Sequence, residues 1–148
     1  MAKASSQTDQ FMFDTVIFNR ILDHQIDIDQ FPAGIRIYST HVQQDELENT
    51  PDNERREKLL RTFNEVSPED LPTESTVIGY SRIGKCKIGS SELYHEIRQG
   101  KPKYTRDAMI AETAMKSGFC LVTDDDPLYK KVRKLGGKAI TFREFLEL

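Results

Sequence analysis

Short apolar runs alternate with amphipathic stretches along the chain. The run at 11–18 is interrupted by Asp14 and predicts a buried strand that ends near this aspartate. Further apolar runs predict strands at 35–39, 76–78, 119–123 and 138–141. Helical spacing and helix-start and helix-stop residues predict helices over 19–24, 40–49, 52–66, 91–98, 105–117, 128–135 and 142–148, with a loop at 67–74. Strands that alternate with helices indicate an α/β fold with a mainly parallel sheet.

The composition is that of one ordinary domain. We expect a polar N-terminal tail over 1–10 and a single domain over 11–148, since 148 residues are too few for two cores. No apolar core follows Lys3, and no apolar run approaches the roughly 18 residues that span a bilayer. Cys86 and Cys120 lack the close spacing of a zinc site or a disulfide framework. We therefore expect a cytoplasmic protein with neither a secretory signal nor a membrane segment.

Acidic residues fall at the ends of predicted strands and the starts of predicted helices. Asp14 ends one apolar strand and Asp125 follows another, while Glu46 and Asp107 lie near helix starts. Ligands bind at the carboxyl ends of the strands in an open parallel sheet, so these carboxylates are expected to share one crevice. Carboxylates gathered there repel one another, and a hard cation such as Mg²⁺ or Mn²⁺ relieves that repulsion. Such an ion lowers the pKa of water, which then hydrolyses a phosphodiester without a nucleophilic side chain.

A plainer interpretation of the same acids stays open at this point. Glu46 and Asp107 also suit helix starts through the helix dipole, and residues 124–126 also suit a turn. Asp14 is the hardest to explain in this way, because an isolated charge in an apolar strand is costly without a partner.

Three segments carry a resemblance to a known family. They are Phe13-Asp14-Thr15, Glu46-Leu47, and a C-terminal block in which Arg106-Asp107-Ala108-Met109-Ile110-Ala111 leads to Gly118 and then to Leu121-Val122-Thr123-Asp124-Asp125. In this order and spacing the chain resembles the PIN-domain nucleases, and among them the small toxin-type (VapC-like) members. The resemblance covers about 11–145, and the block over 107–125 is its most specific part.

The resemblance implies a three-layer α/β/α sandwich and cleavage of RNA that depends on Mg²⁺ or Mn²⁺. It gives the catalytic and metal-binding roles to Asp14, Glu46, Asp107 and Asp125, with Asp124 as a further candidate ligand. Thr15 and Thr123 would support a carboxylate or a water. Toxin-type members are usually homodimers paired with an antitoxin protein, so the resemblance implies both kinds of partner. The chain departs from the family pattern at Val16, where Asn or Ser is common, and at Asp124, where the family usually has a neutral or basic residue.

A basic segment lies between the predicted third strand and the Asp107 helix. Its members are Arg82, Lys85, Lys87, Arg98, Lys101, Lys103 and Arg106. With Tyr80, Tyr94 and Tyr104 interleaved, they predict an RNA-binding rim, although a solvated loop is the alternative. The overall charge of −3 excludes a protein that coats nucleic acid by bulk positive charge, so this local clustering matters more.

Other functions remain possible from the sequence. The stretch 79–86 is close to a phosphate-binding P-loop, but Cys86 replaces the hydroxyl that would bind Mg²⁺. A non-catalytic PIN-like module that binds RNA, or a structure-specific DNase, would share the fold. Because all four acids of the pattern are present, an endoribonuclease is the leading prediction.

Overall fold

The computed structural model describes residues 10–66, 68–75, 80 and 92–148. These residues form five strands and seven helices, joined in part by 3-10 turns at Ile28–Gln30 and Pro102–Tyr104. In chain order the elements are β1 (Gln10–Phe13), α1 (Thr15–Asp23), β2 (Arg36–Ser39), α2 (His41–Glu48), α3 (Asn53–Val66), β3 (Glu69–Asp70), α4 (Glu92–Arg98), α5 (Thr105–Ser117), β4 (Cys120–Val122), α6 (Asp126–Lys134), β5 (Lys138–Ile140) and α7 (Phe142–Leu146).

The strands form one parallel sheet in the order β3-β2-β1-β4-β5. The chain adds strands on one side of β1 as far as β3, and then crosses to the other side with β4 and β5. Strand order therefore reverses between β1 and β4, where Phe13 pairs with Val122. The carboxyl ends of two such strands open a crevice between their outgoing loops, which is where ligands bind in open α/β sheets.

Two hydrophobic cores lie on opposite faces of the sheet. In β1 the side chains alternate, so Phe11 and Phe13 pack into one core and Met12 into the other. The first core takes helices α1, α3 and α7, and the second takes α4, α5 and α6. This is the three-layer α/β/α arrangement predicted from the sequence, and the parallel sheet is confirmed. Because both faces of the sheet are covered by helices, a strand such as β1 is apolar at nearly every position.

The first strand and helix are placed differently from the prediction. The apolar run at 11–18 is not one strand with a helix at 19–24, since β1 ends at Phe13 and α1 already begins at Thr15. The Asp14 side chain accepts a hydrogen bond from the Thr15 N–H and caps α1. Ile17 and Phe18 look strand-like in sequence, but here they form part of the buried face of the helix. Tertiary burial has overridden the β-propensity of the run.

The middle of the chain also differs from the prediction. The predicted loop at 67–74 contains the short edge strand β3, whose Glu69 and Asp70 pair with Tyr38 and Ser39 of β2. The predicted strand at 76–78 lies outside the described residues. The acidic side chains of β3 gave no strand signal in the sequence. An edge strand this short is held mainly by pairing with the backbone of its neighbour β2, so its side chains need not have a high β-propensity. None of the helices in the described ranges is long and apolar enough to cross a membrane.

Candidate active site

The candidate site lies where β1 and β4 end, at the reversal of strand order. Asp14 follows β1 directly, and its backbone N–H donates to the carbonyl of Val122 on β4, 3.0 Å away. Thr123 follows β4 and donates its own N–H to Ile140 of β5, also at 3.0 Å. Sheet hydrogen bonding therefore fixes the backbone of both residues before any side-chain contact is considered.

Asp14 is the most deeply buried acid of the site, with 4% of its surface exposed. One carboxylate oxygen accepts from the Thr15 N–H at 2.8 Å, and the other accepts from the Thr123 hydroxyl at 2.8 Å. Burial nevertheless raises the pKa of Asp14 to about 7, and the charges of Asp107 and Glu46 add to the rise. The hydrogen bonds from the two threonines act in the opposite direction without compensating.

Asp107 lies in the first turn of α5 and faces the same space. Burial raises its pKa to about 6, with further contributions from the charges of Asp125 and Glu46. Two cations, Lys131 and Arg106, oppose the rise. The carboxylate of Asp107 is therefore coupled electrostatically to each of the other three predicted acids.

Glu46 is held by the threonine next to Asp14. The Thr15 hydroxyl donates to the Glu46 carboxylate at 2.6 Å, a short charge-assisted hydrogen bond between α1 and α2. Burial raises the pKa of Glu46, while the bond from Thr15 and the charge of Arg106 act against it. Thr15 thus fixes the glutamate from a position one residue beyond the buried aspartate.

A single hydroxyl connects Asp14 with Asp125. The Thr123 oxygen donates to Asp14 and accepts from the Asp125 N–H at 3.0 Å. The Asp125 side chain in turn caps α6 by accepting from the Leu128 N–H at 3.1 Å. Because the cap uses one carboxylate oxygen, the other oxygen is available to a ligand in the crevice.

The three consecutive aspartates point in different directions. One oxygen of Asp124 accepts from the Phe142 N–H at 3.0 Å and the other pairs with Arg20 at 3.2 Å, which ties β4 to α7 and α1. Asp126 is exposed and pairs with Lys130 at 2.9 Å. Of the three, Asp125 is the one that shares a small cavity with Asp107. The geometry therefore favours Asp125 over Asp124 as the acid that faces the crevice.

The chemistry of these side chains fits a divalent cation. Carboxylate oxygens are the ligands that Mg²⁺ and Mn²⁺ prefer, and the pKa values of Asp14 and Asp107 are raised first by burial and then by neighbouring carboxylates, so a bound cation would stabilise the ionised forms of both. Within the described ranges, no three His, Cys, Asp or Glu side chains are already gathered at the spacing of a metal site.

The predicted basic rim is described only in part. Arg82, Lys85 and Lys87 lie outside the described residues. Arg98 donates to the Thr105 hydroxyl at 3.0 Å and so helps to fix the start of α5. Arg106 lies 5.0 Å from the centre of the Tyr80 ring, next to Glu46 and Asp107. Lys101 and Lys103 are exposed and lie 5.8 and 5.1 Å from the centre of the Tyr104 ring.

Sequence reasoning missed one basic residue of the site, Lys131. It lines the small cavity together with Asp107, Asp125 and Tyr104. Its position in the sequence could have indicated this role. Lys131 falls three residues after the buried Leu128 on α6, and residues three apart lie on the same side of a helix. A lysine on the buried stripe of an otherwise charged helix indicates a specific partner in the interior.

Comparison with solved structures agrees with this architecture. A chain of the VapBC2 complex from Rickettsia felis, solved bound to a DNA fragment from the promoter, matches at 14% identity and a TM-score of 0.52, over 89% of this chain and 98% of that one. A chain of VapBC-5 from Mycobacterium tuberculosis, described as a toxin–antitoxin system, matches at 17% identity and 0.51, over 90% and 97%. A domain of a functionally unknown protein from Methanocaldococcus jannaschii matches at 19% and 0.52, over 90% and 91%.

These likenesses define the class of fold. No protein-family model and no curated protein matches the sequence. The predicted resemblance to VapC-like PIN domains is confirmed by the structures as a likeness of fold. At such low identity the comparisons speak for the fold, so the activity has to be argued from the site.

Proposed function

We propose that this protein is a metal-dependent endoribonuclease that hydrolyses RNA phosphodiester bonds in the cytoplasm. The observation that carries the proposal is the coupling of Asp107 to Asp14, Glu46 and Asp125 at the reversal of strand order. A fold needs no such concentration of buried and half-buried carboxylates for stability, because the raised pKa values of Asp14, Glu46 and Asp107 mark charges that burial disfavours. A bound cation, with a phosphate of the substrate beside it, would account for the presence of these carboxylates.

The side chains divide the work. Asp14, Glu46, Asp107 and Asp125 would hold Mg²⁺ or Mn²⁺, which when bound supplies Lewis acidity and an activated water for phosphodiester hydrolysis. Thr123 orients Asp14 and Asp125 together through one hydroxyl, and Thr15 orients Glu46. These threonines act through the carboxylates and are positioning residues.

The cations beside the acids supply the other half of a nuclease site. Arg106 lies close enough to Glu46 and Asp107 to lower the pKa of both, and from this position its guanidinium can meet a phosphate oxygen. Lys101 and Lys103 of the basic rim lie at the 3-10 turn Pro102–Tyr104. This turn leads directly into α5, whose first turn carries Asp107. RNA is the proposed polymer, with the phosphate backbone held by this rim.

The partners belong to the same proposal. Two of the structural neighbours are components of toxin–antitoxin complexes, and this chain covers nearly the full length of each matched chain. We therefore propose that the protein is the toxin of such a pair, that it forms a homodimer, and that an antitoxin protein controls it.

The test is a cleavage assay with matched variants. End-labelled RNA and DNA of equal sequence are incubated with the wild-type protein, in Mg²⁺, in Mn²⁺ and in EDTA. We expect cleavage of RNA with either metal and none in EDTA. Asp14→Asn should abolish cleavage, while Asp124→Asn, which alters the acid paired with Arg20, should preserve most of it.

Each other result has a defined meaning. Cleavage that survives Asp14→Asn would refute the assignment of the site. Cleavage of DNA but not RNA would replace the endoribonuclease with a DNase. RNA binding without cleavage in either metal would indicate a non-catalytic PIN-like module. Equal loss in Asp124→Asn and Asp14→Asn would show that Asp124, and not only Asp125, serves the metal.

A further inference from the structure

The side chain of Tyr104 is surrounded by lysines. The ammonium groups of Lys131, Lys103 and Lys101 lie 4.5, 5.1 and 5.8 Å from the centre of its ring. A ring face attracts cations through its quadrupole, so Tyr104 gathers positive charges that would otherwise repel one another. Their concentration at one point favours an anionic ligand there.

Lys131 is the best fixed member of this group. Its Nζ donates to the carbonyl of Ile97 near the end of α4, 2.9 Å away, and the side chain is half-buried and lines the small cavity together with Leu128. The ammonium group therefore bridges two helices and the Tyr104 ring. An ammonium carries three donors, and the bond to Ile97 uses one of them.

The lysine lies beside the acids without pairing with them. Lys131 lines the same small cavity as Asp107 and Asp125, yet among the described contacts its hydrogen bond goes to the Ile97 carbonyl and not to either carboxylate. If its only role were to neutralise those acids, a direct ion pair would be the expected arrangement. The observed geometry keeps donors free at the edge of the acidic cluster.

We infer that Lys131, Lys101 and Lys103, gathered on the Tyr104 ring, form a subsite for the phosphate of a nucleotide adjoining the scissile bond. The subsite adjoins the small cavity that Tyr104 and Lys131 share with Asp107 and Asp125. This inference rests on the proposed function in taking RNA as the ligand. In this subsite Tyr104 serves as a platform for cations.

A neighbouring lysine provides a matched control. Lys130 precedes Lys131 on α6, but its side chain is exposed and pairs with Asp126 at 2.9 Å. Lys131→Met and Lys130→Met change the net charge equally on the same helix. A difference between them therefore reports the subsite and not the total charge of the protein.

The probe is a labelled single-stranded RNA of twelve nucleotides, followed by fluorescence anisotropy. Binding is measured in EDTA with otherwise wild-type protein, and in Mg²⁺ in an Asp14→Asn background that does not cleave. Lys131→Met should weaken binding about fivefold and reduce the slope of log Kd against log salt by about one, as expected for one lost phosphate contact. Lys130→Met should change neither by more than experimental error.

Two further variants separate binding from a structural role. Lys131→Arg keeps a cation and a donor and should restore most of the affinity. Tyr104→Phe keeps the ring and should bind as the wild type does, whereas Tyr104→Leu should weaken binding as Lys131→Met does. Circular dichroism of each variant shows that it is folded; a loss of stability alone would not change the salt slope.

Failure of the inference and failure of the proposed function are distinguishable. Equal affinities and equal salt slopes for the Lys131→Met and Lys130→Met proteins would overturn the inference, even if metal-dependent cleavage were intact. The absence of RNA binding under both conditions would overturn it as well. Binding that depends on Lys131, together with no cleavage in Mg²⁺ or Mn²⁺, would support the subsite and refute the nuclease.

Discussion

Asp14→Asn is expected to make the metal-free protein more stable at neutral pH, although it removes the central acid of the site. The amide has nearly the shape of the carboxylate. Its oxygen can accept from the Thr15 N–H, and its nitrogen can donate to the Thr123 oxygen, so both native contacts have a counterpart. The variant removes a charge that burial disfavours and leaves the packing in place.

The magnitude follows from the pKa of Asp14, which is about 7 in the folded protein against 3.8 for the unperturbed group. The folded state binds the proton more tightly, so the linkage relation makes stability fall as pH rises from about 4 to about 7 and then level off. At 1.36 kcal/mol per pKa unit, the raised pKa lowers stability by about 3 kcal/mol at pH 6, where the folded protein holds Asp14 mostly protonated, and by about 4 kcal/mol at pH 8, where Asp14 is mostly ionised. The advantage of the Asp14→Asn protein should therefore grow by about 1.4 kcal/mol between these two values.

The assay is urea unfolding followed by circular dichroism, in EDTA at pH 6 and pH 8. Asp23→Asn is the control, because Asp23 ends the same helix but is exposed and paired with Arg55, which lowers its pKa. That variant should be slightly less stable than the wild type at both pH values. Adding Mg²⁺ should narrow the advantage of Asp14→Asn, since a cation at ten times its Kd stabilises the folded wild type by about 1.4 kcal/mol and the variant by much less.

A specific result would refute this reasoning. If Asp14→Asn were less stable than the wild type at pH 8 without metal, the buried carboxylate would have to be favourably solvated or paired. An advantage that did not grow between pH 6 and pH 8 would mean that Asp14 does not titrate in this range. Either result would remove the electrostatic argument for a cation at this position.

Three more substitutions test the surroundings of the site. Thr123→Val removes the donor to a buried oxygen of Asp14 and should cost about 1–3 kcal/mol in urea unfolding and most of the activity, with Thr123→Ser restoring both. Thr15→Val removes the donor to Glu46 and should weaken metal binding measured by calorimetry, while Thr15→Ser should bind as the wild type does. Gly118→Ala places a side chain at φ +76° after α5 and should lower stability by about 1 kcal/mol without changing kcat; unchanged stability would contradict the left-handed cap.

The parallel sheet and the meeting of the acids were predictable because both follow from local patterns. An apolar strand that ends in an acid, found at Asp14 and again near Asp125, puts a carboxylate at the carboxyl end of a strand. Parallel strands bring those ends to one edge, so two local observations become one spatial prediction. Asp107 needed the family resemblance, since acids in the first turn of a helix are common for reasons of the dipole alone. Glu46 needed it too, and its predicted place near a helix start was wrong, because it lies in the last turn of α2.

The beginning of the fold was harder to predict than its site. Residues 15–18 have the composition of a strand, and their helical conformation is set by the Asp14 cap, by the contact of Phe18 with Phe63 of α3, and by burial of Ile17 in the same core. Those contacts involve residues far along the chain, which a periodicity argument over eight positions does not contain. The functional assignment was insensitive to this error, because Asp14 stands at the boundary in both interpretations.

The choice among the three consecutive aspartates shows where sequence reasoning stops. Asp124 and Asp125 are chemically identical and adjacent, and nothing in a local pattern distinguishes them. The distinction comes from α7, which presents the Phe142 N–H to Asp124, and from Arg20 of α1, which pairs with the same carboxylate. These contacts turn Asp124 toward one layer of the sandwich and leave Asp125 to cap α6 on the other.

The Thr123 hydroxyl explains how the two halves of the site are kept in register. It reaches Asp14 across 109 residues of sequence and at the same time holds the backbone of Asp125 two residues away. A hydroxyl can donate and accept at once, whereas a valine of the same shape can do neither. Through these two contacts the Asp14 carboxylate, which follows β1, and the Asp125 backbone, which follows β4, are held to one oxygen atom. A site for one shared cation would need such a connection, since the ligands of a metal must keep their mutual geometry.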